Sequence, residues 1–157
     1  MQVTFIYIGK TNQNFVKEGF EMYKKRIVHY TKFNEICIED VKNPKNLTST
    51  KLKDLEGEKL LKKISKTDFV VLLDENGKTF TSVKFANWIE QKMIQSTKTL
   101  TFVIGGAFGF SDAVYQRANS KLRLSDMTFS HQIIRAIFAE QLYRAFSIIK
   151  GESYHNV

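Results

Sequence analysis

Two short segments in the last third of the chain carry the residue types best suited to chemistry. Residues 102–109 are an apolar run that stops at a cluster of glycines, and residues 124–132 end in hydroxyl and imidazole side chains that include Ser130 and His131. A buried parallel strand presents backbone to a ligand at its carboxyl end, and glycine allows a close approach. Together the two segments favour a site for a cofactor that contains adenine and an amino acid.

The charge of the chain favours a polyanionic partner. Twenty-four Lys and Arg oppose sixteen Asp and Glu, which gives a formal net charge of +8. Such a surplus on a small protein is typical of nucleic-acid binding, although lysines that only solvate the surface are the alternative. Most of the thirteen Phe fall in apolar periods and are not free to stack on bases. An RNA read by its shape and phosphates is therefore the predicted partner.

Several classes of protein are excluded by what the chain lacks. No apolar stretch approaches the roughly twenty residues of a membrane span, and residues 1–5 predict a strand rather than a signal peptide. The single cysteine, Cys37, excludes an intrachain disulfide and lies in an apolar alternation, so we expect a small core residue. The histidines (His29, His131 and His155) do not have metal-ligand spacing, so no metal is predicted. A cytoplasmic protein is expected.

Strands and helices alternate along the chain. Apolar runs predict strands over 3–8, 33–38, 69–73, 100–104 and 122–124, with a turn at 74–77. Helical spacing predicts helices over 15–29, 48–64, 82–94 and 130–149, with a short helix after Ser111. This order predicts one α/β domain over residues 1–157, with a mainly parallel sheet flanked by helices.

Three better-known motifs are incomplete. Gly-Lys-Thr occurs at 9–11 and 77–79, but the upstream glycine of a phosphate loop is missing in both places. The glycines of 105–109 do not have the dinucleotide-binding spacing. Ser130 and His131 lack the Gly-x-Ser-x-Gly context of a hydrolase. The sequence thus disfavours a nucleoside triphosphatase, a dehydrogenase and a serine hydrolase.

The order of the remaining motifs resembles one known family. Gly105-Gly106-x-x-Gly109 is followed by Leu124-Ser125-x-Met127-Thr128-Phe129-x-His131, by Glu140-Gln141-Leu142-Tyr143-Arg144-Ala145-Phe146, and by the ending Gly151-Glu152-x-Tyr154-His155. In this order and spacing they resemble the bacterial ribosomal RNA large-subunit methyltransferase H family, part of the SPOUT class of knotted methyltransferases. The similarity covers essentially all 157 residues, including Ile8-Gly9-Lys10 and Glu56-Gly57-Glu58.

The resemblance implies a trefoil-knotted α/β domain that forms a homodimer and binds S-adenosylmethionine. The implied reaction is methylation of N3 of a pseudouridine in 23S ribosomal RNA, on the assembled ribosome. Carried over to this chain, the cofactor-binding positions are Leu73, Gly105, Leu124, Ser125, Asp126, Met127, Thr128 and Phe129. The chain departs from the family pattern at Phe108, where relatives tend to have a polar side chain, and at Ser130, where a proline is usual.

The acceptor nitrogen of pseudouridine is an imide and must lose a proton, so a general base is expected. His131 and His155 have suitable intrinsic pKa values. We place His155, with Tyr154, on the substrate side, and His131 in a structural or cofactor-side role. Asp126 could favour a sulfonium charge, although a solvated carboxylate is the simpler interpretation.

Two arginines are the candidates for contact with RNA. Arg135 lies one helical turn from His131 on the same side, and Arg144 lies further along the same predicted helix. Pairing of either with Glu140 or a neighbouring carboxylate is the alternative. The catalytic candidates are thus His155, Arg135 and His131, and the substrate-binding candidates are Arg135, Tyr154, His155 and Arg144.

Two other functions stay open at this point. One is a non-catalytic RNA-binding domain that keeps the fold and the charge but has no affinity for S-adenosylmethionine. The other is a small-molecule α/β enzyme with a different adenine-containing cofactor, which the incomplete motifs and the basic charge disfavour.

Overall fold

A five-stranded parallel sheet forms the centre of the computed structural model, which describes residues 1–155. The sheet has the order β2-β1-β4-β3-β5. The strands are β1 (Gln2–Ile8), β2 (Lys32–Ile38), β3 (Phe69–Thr79), β4 (Thr99–Ile104) and β5 (Ser120–Arg123). The central strands β1 and β4 are buried on both faces, which explains their continuous apolar sequences. The predicted α/β class is confirmed.

Helices cover both faces of this sheet. They are α1 (Asn14–Ile27), α2 (Ser49–Leu61), α3 (Ser82–Ile94), α4 (Asp112–Arg117) and α5 (Ile133–Ile149), with a short 3₁₀ turn at Pro44–Asn46. Because side chains alternate along β1, Phe5 packs in the core beneath α1, α3 and α5, whereas Ile6 packs in the core beneath α2 and α4. On the first face Phe138 of α5 lies 5.0 Å from the ring of Phe5 and 4.7 Å from that of Phe102, measured between centroids.

The bounds of three elements differ most from the prediction. Strand β3 continues through the predicted turn at 74–77 to pair with β5 again, after a register shift between Leu73 and Lys78. Helix α2 ends at Leu61 rather than at residue 64. Helix α5 begins at Ile133 rather than at residue 130. Each difference lies at the end of an element, where periodicity is least informative.

The prediction for Cys37 is wrong. Its side chain is exposed, and its thiol lies 3.4 Å from the carbonyl oxygen of Gly9. Strand β2 is at the edge of the sheet. Its alternating apolar residues therefore extend past the area that the helices cover.

Neither a metal-ligand cluster nor a membrane-spanning helix occurs in the described part of the chain. No group of three or more possible metal ligands occurs within residues 1–155. In the same range, none of the helices is long and apolar enough to cross a membrane.

Candidate functional site

A cavity of about 730 Å³ opens at the carboxyl ends of β4 and β5, beside the point where β3 leaves β4. Residues 74–76 of β3 and two loops, at residues 105–110 and 124–131, line it. Its lining includes all eight positions that the resemblance assigns to a cofactor: Leu73, Gly105, Leu124, Ser125, Asp126, Met127, Thr128 and Phe129. The cavity has the size of a typical small-molecule site, and ligands of open α/β sheets bind at this edge.

Backbone forms the floor of the cavity at the glycine loop, which we define as residues 105–109. The loop closes on itself because the N–H of Gly109 donates to the carbonyl oxygen of Gly106 at 3.1 Å. Gly109 has a φ of 81°, a conformation that glycine adopts without strain. A Cβ on Gly105 would lie 3.0 Å from the oxygen of Gly109 and 3.2 Å from the ring of Phe110. The loop therefore fits closely only without a side chain at Gly105.

The lining of the cavity is acidic although the chain is basic. Among the described residues of the lining, Asp74, Glu75 and Asp126 oppose one guanidinium, that of Arg123. Arg123 pairs with Asp126 at 3.0 Å, and Asp74 accepts the hydroxyl of Tyr115 at 2.6 Å. This surplus of carboxylates favours a ligand that carries positive charge. Asp74 and Glu75 were not found by sequence reasoning, which interpreted them as part of a turn.

His131 lies at the wall of this cavity. Partial burial, and then the charge of Arg135, lower the pKa of its imidazole below the usual histidine value. His131 is therefore neutral near pH 7 and has a free lone pair for accepting a proton or a hydrogen bond.

We expect His131 to make the stability of the protein depend on pH. Because its pKa is lowered on folding, its contribution to stability is fully present above the unfolded value of about 6.5 and is lost as the pH falls through the folded pKa. Urea denaturation of the wild type and of His131→Gln between pH 5 and 8 measures this contribution. The free energy of unfolding of the wild type should fall more than that of the variant as the pH is lowered below about 6.5. Parallel changes of the two free energies with pH would contradict the expectation.

Arg135 does not lie where sequence reasoning placed it. Its side chain is 1% exposed, so an RNA phosphate has no access to it in this structure. The guanidinium donates to the carbonyl oxygens of Ile8 at 2.7 Å, Gly9 at 2.9 Å and His131 at 2.9 Å, and to the Thr11 hydroxyl at 2.9 Å. We call these contacts the Arg135 clasp. It joins the end of β1 to the start of α5 and so holds the backbone of His131.

The neighbour of His131 reinforces the clasp. Gln132 accepts the N–H of Asn12 at 3.0 Å and donates to the carbonyl oxygen of Lys10 at 3.1 Å. The signal for this arrangement was present in the sequence, because Arg135 has the helical spacing of the buried residues Phe138, Ala139 and Leu142. A positive residue on the apolar face of a helix indicates a buried guanidinium with its own acceptors.

The remaining predicted site residues, Arg144, Tyr154 and His155, lie together with Glu140 and Tyr23. We call these five residues the tail cluster. Glu140 accepts from Arg144 Nε at 3.0 Å and from the Tyr154 hydroxyl at 3.1 Å. The hydroxyls of Tyr154 and Tyr23 lie 3.3 Å apart. Arg144 thus pairs with Glu140 within the chain, and its contact with RNA stays a prediction.

His155 contacts Arg144 of α5. Its Nδ1 lies 3.1 Å from Arg144 Nη1, and a guanidinium can only donate. Nδ1 therefore accepts in this contact, and Nε2 is the ring nitrogen that a substrate could contact.

The tail cluster is remote from the cavity of its own chain. Within residues 1–155, none of its members lines that cavity. Ile134 lines the cavity and Arg144 follows ten residues later in α5, a distance of about 15 Å along the helix axis. A substrate in the cavity of one chain cannot contact the tail cluster of the same chain without bridging this distance.

Comparison with known proteins defines the class to which this fold and cavity belong. A model of the family described as "Predicted SPOUT methyltransferase" matches residues 1–155. The chain belongs to the SPOUT methyltransferase family and is therefore an enzyme that transfers a methyl group from a donor. Membership also implies the knotted form of the α/β fold.

The curated relatives are more specific. The chain is 51% identical over 156 residues to "Ribosomal RNA large subunit methyltransferase H" of Flavobacterium psychrophilum, which covers 99% of both chains. Proteins of the same name from Parabacteroides distasonis and Flavobacterium johnsoniae are each 49% identical over 156 residues, again with 99% coverage of both chains. The resemblance found in the sequence is thereby confirmed.

Proposed function

We propose that this protein uses S-adenosylmethionine to methylate N3 of a pseudouridine in 23S ribosomal RNA, on the assembled ribosome in the cytoplasm. The observation that carries the proposal is the convergence of all eight expected cofactor positions on one cavity in a chain of the SPOUT family. The names of the relatives support a ribosomal RNA substrate. The net charge of +8 supports binding to a polyanion.

The cavity fits the proposed cofactor chemically. When bound, S-adenosylmethionine supplies an electrophilic methyl group on a positively charged sulfur. The backbone of Gly105 and of residues 124–129 would hold the adenine, Leu73 and Leu124 would contact its faces, and the carboxylates of Asp74 and Asp126 would favour the positive charge. Among the described residues of the lining, the one Lys or Arg side chain is that of Arg123, and it is paired with Asp126.

The substrate side of the site requires a second copy of the chain in this proposal. The tail cluster lies about 15 Å along α5 from its own cavity, so we place the tail cluster of one protomer over the cavity of its partner in a homodimer. Arg144, Tyr154 and His155 would then contact the RNA. Exposed apolar side chains on α1 (Phe15, Met22) and at the cavity mouth (Met127, Phe129) support a surface that is covered by a partner.

The acceptor nitrogen loses a proton during the transfer, and the chain must supply or direct a base. We assign this task to His131, because it is neutral near pH 7 and lies at the cavity wall. The Arg135 clasp holds the backbone of His131, so Arg135 acts as a positioning residue. The walls exclude water and hold donor and acceptor in line, which are the main requirements of a methyl transfer.

Titration calorimetry with S-adenosylmethionine, followed by methylation of ribosomes that carry unmethylated pseudouridine, tests this function. We expect binding by the free protein and transfer of one methyl group per ribosome. RNA binding without affinity for the cofactor would instead support a non-catalytic RNA-binding domain.

Mixing Gly105→Val protomers with His155→Ala protomers tests the shared site. The mixed dimer retains one complete site, so it should recover part of the activity that each variant lacks.

A further inference from the structure

A buried carboxyl group lies behind the glycine loop, on the face of the sheet that α2 covers. Glu56 of α2 is 7% exposed, and within residues 1–155 its Oε2 has no hydrogen-bond partner. A Cβ on Gly106 would lie 2.7 Å from Oε1 of Glu56 and would collide with Oε2. The carboxyl group therefore rests against the backbone of the loop, and only glycine at position 106 permits this approach.

The next residue of α2 supports the other end of the same segment. A Cβ on Gly57 would collide with Ser111 Oγ and would lie 3.2 Å from Ser111 Cβ. Ser111 follows the glycine loop by two residues and is buried, and its hydroxyl has no hydrogen-bond partner in the described part of the chain. Glu56 and Gly57 of α2 thus pack against both ends of the segment that contains the glycine loop. Two polar atoms at these contacts, Glu56 Oε2 and Ser111 Oγ, lack a hydrogen-bond partner in the described part of the chain.

A buried polar atom without a partner destabilises the folded state, and such atoms are rare in native proteins. We propose that Glu56 is a positioning residue whose carboxylate accepts a backbone N–H of the glycine loop when the loop takes its cofactor-bound conformation. Cofactor affinity then depends on an acceptor at position 56, although Glu56 itself lies outside the cavity. The inference rests on the proposed function, because the ligand of the loop is S-adenosylmethionine.

The charges around Glu56 give this role a dependence on pH. Burial and then the neighbouring charge of Asp40 raise the pKa of Glu56, and Lys59 opposes them. Lys59 is itself bound to the carbonyl oxygens of Glu39 and Asp40, at 2.9 Å and 3.1 Å. A carboxylate accepts an N–H better than a carboxylic acid does, so binding favours the ionised form. Affinity for the cofactor should rise as the pH increases through the raised pKa.

Calorimetric titration with S-adenosylmethionine from pH 5 to 8 tests the role of Glu56. We expect Glu56→Ala to weaken binding about tenfold or more near pH 7, the effect of losing one hydrogen bond to a charged acceptor. Glu56→Gln keeps the shape and one acceptor oxygen, so it should bind better than Glu56→Ala but lose the part of the pH dependence that is due to this carboxyl. Glu58→Ala, an exposed carboxylate on the same helix, is the matched control and should bind as wild type does.

A double-mutant cycle separates positioning from general stability. Gly106→Ala should weaken binding because its Cβ collides with Glu56, and adding Glu56→Ala should restore part of that loss. The inference is wrong if Glu56→Ala lowers the melting temperature but leaves the dissociation constant unchanged, and Glu56→Gln keeps the pH profile of the wild type. The proposed function would still stand in that case. Failure of the wild type to bind S-adenosylmethionine would instead overturn the proposed function and this inference with it.

Discussion

Replacing Arg135 by Met is expected to lower the free energy of unfolding by about 3–5 kcal/mol. Met fills a similar volume but donates no hydrogen bond, so the carbonyl oxygens of Ile8 and Gly9 would be left in the core without the guanidinium that they now accept from. The variant also loses the packing of the guanidinium on Tyr7, whose ring centroid lies 4.2 Å away. Urea denaturation followed by circular dichroism measures the loss.

The control for this prediction is the same substitution on the same helix. Arg144→Met removes a guanidinium that is partly exposed and bound to the Glu140 carboxylate, so water can replace it, and we expect a loss of about 1 kcal/mol or less. Equal losses at the two positions would show that Arg135 does not connect β1 to α5 in the folded protein. The two variants should also differ in function, because Arg144→Met is expected to impair methyl transfer while the protein stays folded.

Gly105→Val is expected to weaken the binding of S-adenosylmethionine by more than about 100-fold, equivalent to ~2.7 kcal/mol of binding free energy. The new Cβ would lie 3.0 Å from the carbonyl oxygen of Gly109, and the two methyl groups beyond it would enter the cavity or displace the loop that forms its floor. Titration calorimetry measures the dissociation constant, and circular dichroism verifies that the variant is folded.

Gly19→Ala is the matched control, since it also adds side-chain volume at a glycine. A Cβ there would lie 3.7 Å from the Cβ of Ala136, an ordinary contact, and α1 gains a better helix former. We expect wild-type affinity and slightly higher stability. Undiminished binding by folded Gly105→Val would show that the cofactor does not lie against the glycine loop.

The parts of the structure that the sequence could predict are those determined by local pattern. Strands β1 and β4 were found because a strand buried on both faces must be apolar throughout. The cofactor cavity followed because parallel strands end at one edge of the sheet, which brings the loops after them together. Residues 124–129, which are mostly exposed and irregular, were identified by resemblance, since periodicity contains no information about such a loop.

What could not be predicted depends on contacts between distant segments. The burial of Arg135 requires acceptors from β1, which lie more than a hundred residues away in the chain. Strand β3 passes through Asp74 and Asn76 because β5 pairs with it a second time, and a local turn signal cannot reveal that partner. The distance between the tail cluster and the cavity follows from the direction of α5, which a sequence pattern does not specify.

The order of the strands also has a consequence for how the chain acquires its fold during synthesis. Val3 of β1 pairs with Leu100 of β4, and β4 in turn pairs with β3. The central strand β1 is thus translated first but gains its second neighbour only after nearly two thirds of the chain has been made. Such non-local pairing slows folding and leaves apolar strands exposed to other chains in the meantime. This protein, which we propose to modify ribosomes, is thus most exposed to aggregation while it is still attached to the ribosome that synthesises it.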